Sequence, residues 1–215
     1  MASNKILNSK DLRSDAGHNE LQHTESISVP RDIFEKLYLS PQNDVKEGLH
    51  KTFANPTPLC LAGFLLSSTP LACDLMGWRG AGGGGAASLP AYIFLGGMIQ
   101  LIGGLLEFVL GNTFSFVVFS SFGGFWLSFG TTLQSSFGAT EAYAATGGAN
   151  SPQFAASFAF FLLSMGLLCF IYLVCSIRTN AVLVFVFTLL VLAFLLLAGA
   201  YWQIANGNLA LAAKI

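Results

Sequence analysis

The chain has 215 residues, of which 53% are hydrophobic and only 10% are charged, and its formal net charge is −1. Soluble domains carry about 25% charged residues, so this composition excludes an ordinary water-soluble domain, and the near-neutral charge argues against a nucleic-acid partner. The charges are also segregated, because residues 1–54 hold seven of the ten Lys and Arg residues and eight of the eleven Asp and Glu residues. We therefore predict a polar N-terminal tail followed by a membrane-embedded body at residues 55–215.

The tail, residues 1–54, lacks the apolar core of a signal peptide, so we expect no cleavage there and an insertion directed by the first membrane span. Its content of Ser, Asn and His residues predicts a largely disordered segment. Residues 33–39 are predicted to form a solvated connector, with a short amphipathic turn near the membrane as the alternative.

A sliding window of about 19 residues predicts five membrane-spanning helices, near residues 56–76, 90–110, 114–132, 153–177 and 180–201. Residues 181–200 contain a single polar side chain, that of Thr188. At about 1.5 Å per residue they cover the hydrocarbon core of about 30 Å. The connecting loops are short, so the predicted fold is an all-α, polytopic transmembrane helix bundle that lies in a lipid bilayer.

The remaining basic residues predict an orientation in the membrane. With the tail in the cytoplasm, Lys46, Lys51 and Arg178 lie inside, whereas Arg79 and Lys214 lie outside. The positive-inside rule favours this arrangement. We therefore expect a cytoplasmic N-terminus, and five spans then place the C-terminal end outside.

The first predicted span begins with Asn55-Pro56-Thr57-Pro58-Leu59, which combines a helix-capping residue with a proline at the first helical position. A helix N-terminus carries partial positive charge and unpaired N–H groups, and membrane transporters use such ends to bind carboxylates. The N–H groups of Thr57 and Leu59, with the side chains of Asn55 and Thr57, are expected to be available to a ligand. Two interpretations stay open, a capped helix start and a substrate site.

The second predicted span carries one stripe of small and polar residues. At about 100° per residue, the positions that fall within an arc of about 80° are Gly97, Gln100, Gly104, Glu107 and Gly111. Small residues let a neighbouring helix approach closely, so we expect this stripe to face protein. An ionisable residue within a span normally faces protein or water, which makes Glu107 either a structural hydrogen-bonding group or a titrating intramembrane acid.

The third predicted span carries two stripes. The small or hydroxylated one contains Ser121, Gly124, Ser128 and Thr131. The aromatic one contains Phe122, Phe125, Trp126 and Phe129. We expect the small stripe to meet a helix and the aromatic stripe to face lipid or a cavity. The aromatic residues have two interpretations, packing and a pore constriction, and for a constriction we single out Phe125.

The residues that usually carry enzyme or metal chemistry form no pattern in the membrane body. Cys60, Cys73, Cys169 and Cys175 fall in or beside predicted spans without metal-type spacing, and we interpret them as small apolar residues. All three histidines precede the first span, so no Ser/His/Asp arrangement is visible. We expect a protein that is not an enzyme, with no catalytic residues, no metal and no cofactor.

The order of motifs along the chain resembles a known family. Residues 53–64, FANPTPLCLAGF, resemble the N-P-x-P-[LF]-G signature of the acetate uptake transporters, also called succinate-acetate permeases. The second-helix, third-helix and fifth-helix patterns of that family are similar to residues 96–100, 106–108, 111–114, 119–126 and 178–180. Residues 73–83 resemble its filamentous-fungal branch. The resemblance covers residues 51–205.

The resemblance implies a six-helix protomer around its own pore, assembled as a homo-hexamer in the plasma membrane. It implies transport of acetate and related short monocarboxylates, sometimes succinate, together with protons. It also implies that the motif from Asn55 to Leu59 lines a substrate site near the cytoplasmic start of the first helix. We add Gln100 to this site, because its amide can replace the water around a carboxylate.

The chain departs from the family pattern at several positions. Phe64 corresponds to one constriction residue of the family pore, but Leu95 stands where the second is aromatic, which predicts a wider gate. Cys60 replaces a signature glycine, and Phe122 replaces a tyrosine. The sequence stops at Ile215, before the glycine-rich start and apolar run of the family's sixth helix, so we expect one pore wall to be absent from it.

Two alternatives stay open beside acetate transport. One is a truncated or non-transporting accessory member that acts in assembly or sensing. The other is ammonium export, an activity sometimes attributed to fungal members of the family.

Overall fold

The computed structural model describes residues 53–179 and 181–214, and this part of the chain contains no β-strand. Five of its helices are long and apolar enough to cross a membrane. They are α1 (Thr57–Leu75), α2 (Ala86–Val109), α3 (Thr113–Leu133), α4 (Pro152–Ser176) and α5 (Ala181–Ala205). The predictions of an all-α fold and of five spans are therefore confirmed. The predicted tail, apart from its last two residues, lies outside the described residues.

Short turns and one short helix connect or follow the five long helices. They are Trp78–Gly80, Ser135–Phe137, Glu141–Thr146, Gly148–Asn150 and Leu209–Ala212. Before α2, Gly85 has a φ of +83° and donates its N–H to the Asp74 carboxylate. A Cβ atom at Gly85 would lie 2.5 Å from the Tyr92 hydroxyl oxygen, so only glycine lets the turn close over that ring.

Helix α2 is not a regular α-helix along its whole length. Residues Tyr92–Ile99 form a π-helix, and residues Gln100–Val109 return to α-helical geometry. A π-helix has i→i+5 hydrogen bonds, so each of its residues turns the chain by less than an α-helical residue does. The side chains before Gln100 therefore point in directions that α-helical periodicity does not predict.

Helices α1 and α2 are antiparallel and nearly in backbone contact. Gly63 faces the Leu95 carbonyl oxygen, and a Cβ atom at Gly63 would lie 2.5 Å from that oxygen. One turn earlier, the Cys60 side chain occupies the space that a Cβ atom at Gly103 would need. The family signature has a glycine at the position of Cys60. In this chain Gly103, on α2, is the glycine that lets the two helices pack closely at this point.

Helices α2 and α3 also pack through glycines. A Cβ atom at Gly104 would lie 2.5 Å from Ser120 Oγ. A Cβ atom at Gly123 would lie 3.0 Å from the Gly97 carbonyl oxygen. Lipid gives apolar helices no hydrophobic reason to associate, so close packing of this kind holds α1, α2 and α3 together.

Helices α4 and α5 form an antiparallel hairpin that meets the other three helices mainly through side-chain rings. The Phe125 ring stacks on Phe161, with centroids 5.7 Å apart, and meets Phe194 edge-on at 5.2 Å. The Tyr172 hydroxyl donates a hydrogen bond of 3.0 Å to Ser121 Oγ. The bundle thus consists of a glycine-packed group, α1–α3, and the α4–α5 hairpin. The two meet at a ring-packed boundary, which is formed by aromatic side chains of α3, α4 and α5.

The stripe predicted on the second span is largely confirmed. Gly97, Gln100, Gly104 and Glu107 are all buried against neighbouring helices. The assignment of Gly111 to this stripe is wrong, because Gly111 lies beyond the helix end in an exposed turn with a φ of +79°.

The two stripes predicted on the third span have different outcomes. The aromatic residues, Phe122, Phe125, Trp126 and Phe129, are buried inside the bundle. The expectation that the small stripe meets a helix is wrong at its centre, because Ser128 is exposed and a Cβ atom at Gly124 would have no neighbour within 4 Å among the described residues. Ser120 and Gly123, one position earlier in the chain than Ser121 and Gly124, make the close contacts with α2.

Candidate functional site

The first turn of α1 supplies partners for its own polar groups. Pro56 already has helical dihedral angles, φ −81° and ψ −15°, and the Asn55 side-chain oxygen accepts a hydrogen bond of 3.0 Å from the Thr57 N–H. The Leu59 N–H donates to the Pro56 carbonyl oxygen at 3.0 Å. The expectation that these two N–H groups are available to a ligand is therefore wrong, because the Asn55 cap and the tight first turn bind both.

The Glu107 carboxyl group is the centre of a hydrogen-bond network. Glu107 is 0% exposed, and its Oε1 accepts a hydrogen bond from Thr57 Oγ1. Its Oε2 accepts a hydrogen bond of 2.5 Å from Asn112 Nδ2, and the Asn112 N–H donates to the Glu107 carbonyl oxygen at 2.9 Å. The network joins the start of α1, the end of α2 and the turn that leads into α3.

The position of Glu107 is electrostatically favourable. The N-terminus of a helix carries partial positive charge, and Glu107 contacts the first residue of α1, Thr57. Two hydrogen-bond donors and the helix dipole compensate the burial of its carboxylate. The helix end that we predicted to bind a substrate carboxylate thus holds a carboxyl group of the protein itself.

The other predicted binding residues lie apart from this network. Gln100 is seven residues before Glu107, about 10 Å along the helix. It is 1% exposed, and its Oε1 is buried without a hydrogen-bond partner among the described residues. Pro56 is buried, whereas Pro58 and Leu59 are exposed on the outer side of the bundle. The structure therefore brings Thr57 to Glu107, with Asn55 bound to the Thr57 N–H, but it does not bring Gln100 to Glu107.

A cavity of about 200 Å³ lies between α1, α3, α4 and α5. It is lined by Phe64, Ser68, Leu71, Ala72, Leu75, Gly84, Phe122, Phe125, Trp126, Phe129, Phe158, Leu162, Leu190, Ala193, Phe194, Leu197 and Tyr201. Of these side chains, only Ser68, Trp126 and Tyr201 carry a polar atom, and none is charged. The cavity begins beside Phe64, near the middle of α1, and extends to Leu75 at its end.

Two of the three residues that we predicted to form a constriction line this cavity. Phe64 and Phe125 are part of its wall, and the Phe64 ring meets the Phe122 ring edge-on with centroids 5.7 Å apart. Leu95 is not part of the wall, because it lies on α2, which contributes none of the lining residues. Phe64 separates the cavity from the first turn of α1, where the Glu107 network lies.

The contributions of α4 and α5 to the cavity were not anticipated. Phe194, Leu197 and Tyr201 follow each other at intervals of three and four residues on α5, which is the spacing of one helix face. The sequence gives little sign of this face, because α5 is apolar on nearly every side and Thr188 is the single polar residue on its outer face. Of these three side chains, only that of Tyr201 carries a polar atom, its hydroxyl oxygen.

A bundle of spanning apolar helices with a cavity between them is the architecture of a multi-pass membrane protein that has room for a small molecule. A sequence profile of the GPR1/FUN34/yaaH family matches residues 38–215, and the chain belongs to that family. The resemblance to the acetate uptake transporters is thereby confirmed.

Three curated fungal proteins are similar in sequence. The chain is 48% identical over 185 residues to Protein alcS of Aspergillus fumigatus, covering 84% of this chain and 68% of that protein. It is 32% identical over 203 residues to Acetate permease A of Emericella nidulans, covering 92% and 65%. It is 39% identical over 162 residues to Ammonia transport outward protein 3 of Saccharomyces cerevisiae, covering 74% and 56%. The chain thus spans between about half and two thirds of the length of these relatives.

The fold is similar to a solved structure of the bacterial acetate channel SatP. The two chains superimpose with a TM-score of 0.60 and are 31% identical, over 75% of this chain and 81% of the bacterial one. Sequence and fold therefore point to the same group of membrane proteins.

Proposed function

We propose that this protein transports acetate and similar short-chain carboxylates, together with protons, through a path within each protomer. The observation that carries the proposal is the uncharged cavity of about 200 Å³ inside a bundle of spanning helices. A relative named as an acetate permease and a structural neighbour named as an acetate channel support the choice of substrate.

The cavity volume suits a small acid. One water molecule occupies about 30 Å³ in the liquid, and a cavity of about 150 Å³ in another protein holds benzene. A space of about 200 Å³ therefore accommodates a molecule of four to six non-hydrogen atoms, such as acetate or butyrate.

We assign the polar entrance of the path to Asn55 and Thr57 at the start of α1. The Thr57 hydroxyl is bound to Glu107 and the Asn55 oxygen to the Thr57 N–H. The Asn55 side chain is exposed and can meet a hydrated carboxylate with its amide group before the substrate passes Phe64. When the carboxylate first exchanges part of its hydration water for the Asn55 amide, the energy barrier to entering the apolar cavity is lower.

Uptake of labelled acetate into vesicles that contain the purified chain tests the proposal. We expect uptake driven by an inward proton gradient, above the leak of protein-free vesicles. The Asn55→Ala variant should reduce the rate by about three- to tenfold, since it removes the capping hydrogen bond and the exposed amide. Asn150→Ala, which changes an exposed asparagine in a turn at the other end of the bundle from the start of α1, is the matched control.

The outcomes of this assay separate the open alternatives. Normal uptake by Asn55→Ala removes that residue from the path. Absence of uptake by correctly inserted protein overturns the transport proposal and favours the non-transporting accessory member.

Ammonium export is the second candidate function. The relative from Saccharomyces cerevisiae named for outward ammonia transport supports it, and neutral ammonia fits the same uncharged cavity. Efflux from vesicles preloaded with ammonium is the measurement. Export without acetate uptake would favour this candidate over the first.

We also propose a plasma-membrane location, a cytoplasmic N-terminus and a homo-hexamer. Arg178 lies at the same end of the bundle as the start of α1, which suits the positive-inside rule if that end is cytoplasmic. Large apolar side chains, such as Leu65 on α1 and Phe185 on α5, are exposed on the outside of the bundle. These surfaces suit contact with lipid or with neighbouring protomers.

A further inference from the structure

We infer that the species occupying the cavity between α1, α3, α4 and α5 is the undissociated carboxylic acid, not the carboxylate anion. The inference rests on the proposed function and deepens it, because it names the chemical form in which the substrate crosses. It also assigns the transported proton to the substrate itself.

The wall of the cavity offers almost nothing to an anion. No charged side chain lines it among the described residues. The Asp74 carboxylate, beside the lining residue Leu75, is bound to the Gly85 N–H. The Ser68 hydroxyl already donates a hydrogen bond of 2.8 Å to the Phe64 carbonyl oxygen.

Trp126 and Tyr201, the other two polar residues that line the cavity, offer an anion few further hydrogen bonds. The Trp126 indole nitrogen has no hydrogen-bond partner among the described residues, but it is buried behind the cavity surface, so a solute does not reach it in this structure. The Tyr201 hydroxyl then remains as a single side-chain donor for a solute. A carboxylate has about four lone-pair sites to satisfy, so an anion in this space lacks most of its hydrogen bonds.

Two magnitudes decide which form of the acid enters. Full burial in apolar surroundings favours the neutral form of a carboxyl group by a factor of up to about 10³ to 10⁵. A simple carboxylic acid in water at pH 7 is already neutral in about one molecule in 500. Because the penalty for burying the charge exceeds the cost of protonation, the neutral acid is the form that fills the cavity.

The acid takes its proton from water on one side of the membrane and returns it to water on the other. One carboxylate and one proton cross together, and no net charge moves. The Glu107 network lies at the first turn of α1, beyond Phe64 from the cavity. Glu107 therefore does not need to titrate for transport to depend on protons.

Acetamide provides the test, because it has the shape of acetic acid and is uncharged at every ordinary pH. Flux of labelled acetamide is measured in vesicles that contain the purified chain, beside acetate uptake in the same preparation. Acetate-driven current is measured in planar bilayers with the same protein. We expect acetamide flux above that of protein-free vesicles, together with acetate uptake and no acetate current.

A matched pair of variants ties the flux to the cavity. Ala193→Phe adds a ring at the wall of this cavity and should lower both fluxes by about tenfold, because the ring takes up a large part of its volume of about 200 Å³. Leu192→Phe places the same ring on the outer face of α5, where Leu192 is 54% exposed, and should leave both fluxes unchanged.

The contrary results are distinct from one another. An acetate current that follows the acetate gradient, or acetate uptake without acetamide flux, overturns the inference. Acetamide flux without acetate uptake supports a cavity for neutral solutes and overturns acetate as the substrate. Absence of both fluxes in correctly inserted protein overturns both proposals. These comparisons use the wild-type protein, so they do not depend on the folding of Ala193→Phe.

Discussion

The two parts of the bundle are held together by different kinds of contact. In α1–α3, the backbones meet directly, as at Gly63, where no room exists for a Cβ atom beside the Leu95 carbonyl oxygen. Between α3 and the α4–α5 hairpin, the contacts are made by rings, as between Phe125 and Phe194. A backbone contact cannot be relieved by a change of rotamer, whereas a ring contact can.

This difference separates two tasks within one small protein. The glycine-packed group holds the buried Glu107 network in a fixed geometry. The ring-packed boundary lines much of the cavity, whose shape can change when these rings change rotamer. The three predictions that follow test whether rigidity and adaptability are divided between the two parts in this way.

The largest effect is expected from Gly63→Ala. The added methyl group meets a backbone oxygen at 2.5 Å, and we expect a loss of stability of about 3 kcal/mol, at the upper end of the range for overpacking. Gly124→Ala is the matched control, because its methyl group points into open space and improves the helix. Unfolding in mixed detergent measures both. Equal stability of the two variants would show that the α1–α2 contact is not rigid.

An intermediate effect is expected from Glu107→Gln. The amide has one acceptor oxygen, so it keeps the bond from Asn112 only if its NH₂ group donates to Thr57 Oγ1, and this weaker, reversed arrangement costs about 1–3 kcal/mol. We expect less folded protein, while the molecules that do fold retain proton-dependent uptake. If instead the protein folds normally and loses only its proton dependence, Glu107 is the titrating acid and not a structural anchor.

The smallest effect on stability is expected from Phe194→Leu in the ring-packed boundary. We expect a cost of about 1 kcal/mol, since neighbouring rings can move into part of the space. The enlarged cavity should raise the uptake of butyrate relative to acetate. Phe185→Leu is the control, because Phe185 lies on the outer face of α5 and is 65% exposed. An unchanged ratio in Phe194→Leu would contradict the assignment of this cavity to the transport path.

Much of this fold could be predicted from the sequence, because each span is a long apolar run and the five spans contain only two charged residues, Asp74 and Glu107. The predicted and observed helices differ by four residues at two ends. Helix α2 begins at residue 90 in the prediction and at Ala86 in the structure, and α5 ends at residue 201 in the prediction and at Ala205 in the structure. The burial of Glu107 was also predictable, because small residues share its face.

The arrangement of the site was harder to predict. Asn55, Thr57 and Glu107 were each recognised as candidates, but a distance of 50 positions separates Thr57 from Glu107, and no local pattern pairs them. The π-helix in α2 invalidates a constant turn of about 100° per residue, and Leu95, which the family resemblance placed at a constriction, lies within this π-helix. The apolar surface of α5 gave no sign of which side faces the cavity.

The glycine contacts of α1–α3 have a consequence for how the protein is made. A ribosome adds about 5–20 residues per second, so α3 is finished several seconds before Tyr201, the last residue of the cavity wall, exists. Every partner in the Glu107 network and in the Gly63 contact has been synthesised by then. The nascent chain can therefore occupy the membrane as a packed three-helix unit, and the cavity forms only when the α4–α5 hairpin docks.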